Sequence, residues 1–190
     1  MKADLHIAQD PLADAVLSTD PFALVTGMLL DQQFPMERAF AGPAKIRERF
    51  GSLDPAAIAA ADPEEFATLC ATPPAIHRYG RSMAGRIQTL ASVVLESYGG
   101  DAERIWADAS TGAELLDRLR ALPGFGEQKA RIFAALLGKQ LGVRPDGWQE
   151  AIGPYAEPGS FRSVADVVDP QSLDQVRTFK KVAKAAAKNG

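Results

Sequence analysis

At 190 residues, 46% of them apolar and 24% charged, the chain is long enough for one good core, or for a core with a smaller lobe built from its ends. The formal charge of −3 excludes a polycation that coats nucleic acid non-specifically, yet it is compatible with a local basic face, since Arg177, Lys180, Lys181, Lys184 and Lys188 crowd the C-terminus. The single cysteine, Cys70, excludes an intrachain disulfide and an iron–sulfur cluster held by four thiolates of this chain, and the two histidines, His6 and His77, lie too far apart in sequence to favour a zinc site.

Residues 2–7 can be extended, but nothing pairs with them. Asp10-Pro11 and Asp20-Pro21 each read as an N-cap followed by proline in the first turn, and Asp54-Pro55, Asp62-Pro63 and Asp169-Pro170 repeat the device. Between these caps the apolar spacing is helical: Phe22, Leu24, Val25, Met28 and Leu29 in one element, Phe40, Ile46 and Phe50 in the next. A long helix is predicted over Ser82–Tyr98, burying Met83, Ile87, Leu90, Ala91, Val94 and Leu95 and ending at Gly99-Gly100. A brief turn with Ile105 and Trp106 follows, and then Thr111 caps a helix to Leu122, with Glu114 completing a capping box.

The next stretch is Leu122-Pro123-Gly124-Phe125-Gly126-Glu127-Gln128-Lys129-Ala130. Proline stops one helix, two glycines bracket a single apolar residue, and a second helix starts at once and runs towards Leu141, with Gly142 closing it. The first N–H groups of that helix have no intrahelical partner and carry the positive end of its dipole, so a phosphate suits them. A plain helix-to-helix turn would read the same way. Residues 153–160 form a Gly/Pro-rich loop, and a last helix is predicted from Pro170 to about Ala187. With no strand pair, repeat or low-complexity segment, the class is all-α.

A helix, the Leu-Pro-Gly-Phe-Gly hairpin, a second helix and then Asp146 in Arg144-Pro145-Asp146-Gly147-Trp148 resemble the helix-hairpin-helix DNA glycosylase superfamily, including the endonuclease III and alkylbase glycosylase types. Asp146 follows Gln128 by 18 positions, the family's spacing from hairpin to catalytic acid. Leu29-Leu30-Asp31-Gln32-Gln33 is similar to the segment whose glutamine fills the gap left by a flipped base. Together these matches cover residues 20–165. The resemblance implies two helical lobes with the hairpin at their cleft: a central lobe of residues 22–118 and a second made of 1–21 plus 119–190.

The resemblance further implies that Asp146 is the catalytic carboxylate and that Gly124, Phe125, Gly126, Gln128 and Lys129 meet the DNA backbone, with a monovalent cation at the hairpin and Lys139 as electrostatic support. It makes Gln33, with Gln32 beside it, the gap filler, and Asp31 and Trp148 pocket residues, with Tyr155 able to stack on a base. His77 and Arg78 fall in a loop that approaches DNA in the family. Two departures matter. Members that also cut the strand place at the position of Gln128 a lysine that forms a Schiff base, and an amide cannot do so; Lys129 is rotated away by one helical step, about 100°. The family's four-cysteine cluster loop is absent too, so no cofactor is expected.

The function implied is that of a monofunctional base-excision glycosylase acting on a damaged base, alkylated purines among the candidates, in duplex DNA. The alternative is a non-catalytic hairpin protein that recognises distorted DNA. From the residues alone, Pro145-Asp146-Gly147 is equally a turn, the glutamines can cap the helix ending near Leu30, and Trp148 can be core. No apolar run approaches a membrane span and Met1–His6 lacks the apolar core of a signal peptide, so a monomer in the cytoplasm, associated with the nucleoid, is expected.

Overall fold

The computed structural model describes residues 3–189. In chain order the helices are α1 (Pro11–Thr19), α2 (Pro21–Leu30), α3 (Met36–Phe40), α4 (Gly42–Phe50), α5 (Pro55–Ala60), α6 (Pro63–Ala71), α7 (Gly80–Tyr98), α8 (Arg104–Ala107), α9 (Gly112–Arg120), α10 (Glu127–Gln140), α11 (Trp148–Ile152) and α12 (Pro170–Asn189), with 3-10 turns at Gly153–Ala156 and Val164–Asp166. The described residues form no sheet.

The Asp-Pro pairs open five of these helices as predicted. The carboxylates of Asp10, Asp20, Asp54 and Asp62 each accept a backbone N–H from the first turn, and Asp169 accepts that of Ser172 at 2.7 Å. Gly99 closes α7 in the left-handed conformation, φ 65°. Three details differ from the expectation. The Phe40–Phe50 element is two helices meeting at Ala41, because Pro43 has no N–H with which to continue α3. At the start of α9 the Thr111 hydroxyl accepts the Glu114 N–H at 3.1 Å, but the Glu114 carboxylate takes the N–H of Ser110 rather than that of Thr111, so the box is displaced by one residue. Leu95, placed on the buried side of α7, is 39% exposed.

Two helical lobes result, and α2 explains the first. From Phe22 to Leu30 it is buried on every side, as an all-round apolar helix must be. It packs against α1, α3, α4 and α7, and α7 in turn is covered by α5 and α6. In the second lobe α10 packs against α9, α11 and both 3-10 turns, and α12 lies on the turn at 164–166. The N-terminal residues bridge the two. α1 packs on α2 and α4, whereas Leu5 and His6 line a cavity together with Val168–Pro170 at the start of α12.

Candidate functional site

The hairpin is built by one intramolecular requirement and one opening to the outside. Gly124 sits at φ 79°, and a Cβ there would lie 2.8 Å from Leu29 Cδ1, so both backbone and neighbour demand glycine. Gly126 has ordinary extended angles, φ −84° and ψ 179°, and a Cβ on it would meet nothing within 4 Å. Among the described residues nothing requires glycine at 126; its absent side chain leaves room for an external group. Among the described residues the N–H groups of Gly124, Gly126 and Gln128 have no acceptor. The carbonyls of Pro123 and Gly124 likewise have no donor there, and such hard oxygens fit a monovalent cation.

Phe125 contributes only its backbone. Its ring is buried against Phe133, centroids 6.1 Å apart, and its N–H is spent on the Leu122 carbonyl at 3.1 Å. Beside it Glu127 is held by Arg131 and Arg120, each at 2.6 Å, and these hydrogen bonds keep its carboxyl below the usual range. Gln128 is exposed and its amide donates to the Tyr155 hydroxyl at 3.2 Å.

Lys129 corrects the expectation that it meets the DNA backbone. Its ammonium crosses to the other lobe and donates to the carbonyls of Met28 at 2.7 Å, Leu29 at 3.0 Å and Asp31 at 3.3 Å, capping the C-terminus of α2. Burial pushes its pKa down to about 8 although Asp31 opposes the shift. Lys139 is also withdrawn, paired with Asp166 at 2.6 Å in a largely buried contact. The sequence carries no sign of either engagement, since both depend on which helix end arrives opposite.

Capping by Lys129 ties the hairpin helix to the glutamine segment. Asp31 is the C-cap of α2, and burial raises its carboxyl pKa against the pull of Lys180 and Lys129. Gln32 turns inward, donating to the Leu29 carbonyl at 2.9 Å and accepting from Arg86 at 3.4 Å. Gln33 points out, exposed, in the left-handed region at φ 51°. His77 supports this loop from below. It is 1% exposed, its Nε2 lies 2.9 Å from the Gln32 carbonyl, and its Nδ1 accepts the Tyr79 N–H at 3.1 Å. That arrangement needs the neutral ring, and burial lowers its pKa accordingly. Tyr79 is exposed next to it, with the Arg78 guanidinium 4.8 Å from its ring centre.

Asp146 is exposed on a loop fixed at both flanks. Its carbonyl accepts the Gly112 N–H at 2.8 Å, joining it to the N-terminus of α9. On the other flank Trp148 is buried, and its Nε1 donates to the Ala134 carbonyl at 2.8 Å. Trp148 is therefore an anchor of the acid loop and not a stacking surface in a pocket, because α10 carries Gly138 where the indole lies. Asp146 is tied to the N-terminus of α9 and Gln128 stands in the first turn of α10, and no hydrogen bond links them. The sequence reading missed Arg162, Phe179 and Lys180, which with Gln128, Ile132 and Tyr155 line a cavity of about 320 Å³. These residues come from α10, the turn after α11, the loop that precedes the turn at 164–166, and α12, and segments so far apart in the chain share no periodic signal.

Two helices joined by a glycine hairpin, unpaired N–H groups at its outer side and a fixed, exposed carboxylate define a helix-hairpin-helix protein suited to a polyanion. The chain matches the family model of the HhH-GPD superfamily base excision DNA repair protein over residues 26–184, and it belongs to that family. Among solved structures it is similar to an endonuclease III trapped as a covalent intermediate with DNA in an estranged-adenine complex, with 19% identity, a TM-score of 0.45 and coverage of 73% of this chain and 68% of that one. No curated protein matches it.

Proposed function

We propose that the chain is a monofunctional DNA glycosylase that hydrolyses the N-glycosidic bond of a damaged base flipped from duplex DNA. The observation that carries this reading is an amide, Gln128, where strand-cutting members need an amine, with the neighbouring amine of Lys129 turned onto the carbonyls of α2. A Schiff base with the sugar requires a free amine at the site, so water is the nucleophile left.

Breaking the glycosidic bond builds positive charge on the sugar. The exposed Asp146 carboxylate, on a loop held by Gly112 and Trp148, can stabilise that charge and orient the attacking water. The hairpin N–H groups position the strand through a phosphate, a monovalent cation on the hairpin carbonyls adds local positive charge, and Gln33 enters the vacated stack. The positive charge of α12 compensates for the acidic whole.

Purified protein should release a base from one of a panel of lesion-bearing duplexes and leave an abasic, uncut strand that borohydride does not trap on the protein. Asp146→Asn should lower release by roughly a hundredfold or more and leave duplex affinity intact. A borohydride-trapped complex refutes the monofunctional reading. Binding of distorted duplex without release from any lesion, and without an effect of Asp146→Asn, supports a non-catalytic recognition protein instead.

A further inference from the structure

The far end of α12 carries charge that nothing in the protein answers. On a helical wheel of about 100° per residue, Arg177, Lys180, Lys181, Lys184 and Lys188 fall within an arc of about 100°. Each has another cation three or four residues away, a spacing that destabilises a helix, and no Asp or Glu follows Asp174 to relieve it. Arg177 is held by Glu37 of α3 at 2.7 Å and by Asp174 at 3.2 Å, and Lys180 lies near enough to Asp31 to pull on its carboxyl. The stripe therefore starts beside the segment 31–33. Further on it leaves the body: every residue from 181 to 188 is exposed, and among the described residues the ammonium groups of Lys181, Lys184 and Lys188 have no acceptor. Between these lysines stand Val182 and four alanines, with no aromatic residue or leucine to enter a bilayer. A polyanion with regularly spaced charges fits this end better than a lipid surface. Lys181 to Lys188 rises roughly 10 Å, about three base-pair steps of a duplex.

We propose that the projecting end of α12 is a second duplex contact, in which Lys181, Lys184 and Lys188 grip the phosphates of one arm of DNA beside the lesion. The contact rests on the DNA-binding part of the reading above and not on its chemistry. A duplex seated on the hairpin, with Gln33 in its stack, has one arm that runs past the segment 31–33 along the stripe, while the other arm leaves on the far side. Phosphates on that one arm relieve the repulsion among the lysines and release their own condensed counterions. Such contacts hold any sequence alike, so they raise affinity for undamaged DNA as much as for a lesion.

The test uses the full chain and a triple variant, Lys181→Gln with Lys184→Gln and Lys188→Gln, in salt titrations of duplex affinity. Three lost phosphate contacts should flatten the slope of log K against log salt by roughly 2–3, so that between about 50 and 200 mM salt the parent loses roughly 40-fold more affinity than the variant. The matching triple arginine variant should keep the parent slope, which separates charge from folding. Duplexes trimmed on one side of an abasic-site analogue give the second readout: shortening one arm should weaken the parent and leave the glutamine variant unaffected, and shortening the other should weaken both equally. An unchanged slope, or equal sensitivity of parent and variant to trimming of either arm, overturns the contact and leaves the glycosylase in place. A flattened slope and one-sided trimming without base release from any lesion keep the contact and refute the glycosylase. Loss of binding to phosphatidylserine vesicles in the glutamine variant, with the duplex slope unchanged, overturns the contact in favour of a membrane surface.

Discussion

Gly138→Ala is the most demanding test of how the acid loop is held. On an isolated helix this substitution stabilises by about 1 kcal/mol, because alanine is the better helix former. In α10 the added Cβ would lie 2.1 Å from Trp148 Cζ2, 2.2 Å from Cε2 and 2.6 Å from Nε1, so the indole must leave its seat. Overpacking a core in this way costs about 1–3 kcal/mol, and losing the hydrogen bond from Trp148 Nε1 to the Ala134 carbonyl costs roughly another 1–2. The net is a loss of about 2–3 kcal/mol. For a chain of this size that lowers Tm by roughly 4–12 °C in a calorimetric or circular-dichroism melt. Trp148 follows Asp146 by two residues, so base release should fall along with Tm even at temperatures where the variant remains folded. A Tm equal to or above that of the parent would refute the reasoning, since it would mean that helix propensity outweighs the contact and that the indole does not fix the loop.

The two hairpin glycines should separate folding from binding. Gly124→Ala forces a side chain into the left-handed region and against Leu29, costing about 1–3 kcal/mol, whereas Gly126→Ala should leave the melt unchanged and weaken duplex affinity in a binding titration. Equal effects of the two on stability would contradict the open space at Gly126. For Lys129 the sign follows from a folded-state pKa of about 8, below the ordinary lysine value of 10.5. The unfolded chain binds the proton more tightly, so the Lys129 contribution to stability rises as pH increases through about 8 towards 10.5. Lys129→Met should flatten that part of a stability-against-pH curve measured by urea unfolding; an unchanged slope would show that the ammonium is not buried.

Much of the fold is legible in sequence because its signals are local. An aspartate before a proline caps a helix with its own side chain, which is why Asp10, Asp20, Asp54, Asp62 and Asp169 all mark true starts. The hairpin is equally local: Pro123 ends α9, and Gly124 takes a backbone angle other residues resist. Asp31, Gln32 and Gln33 could be placed at the end of α2 from apolar periodicity alone, and the glutamine at 128, just after the hairpin, is visible without coordinates.

What only the tertiary structure decided is where side chains of ambiguous chemistry go. Lys129 and Lys139 read as cations that support a phosphate contact at the hairpin, but the C-terminus of α2 and the Asp166 carboxylate arrive opposite them and take both ammonium groups. Trp148 reads as either platform or core, and the missing side chain at Gly138, distant in sequence and adjacent in space, makes it core. The cavity beside Gln128 draws on α10, the turn after α11, the loop that carries Arg162, and α12, segments joined by no sequence period. Capping and turn geometry act within a few residues and so are written in the chain; burial, charge pairing and cavity shape arise between segments that meet only when the helices pack.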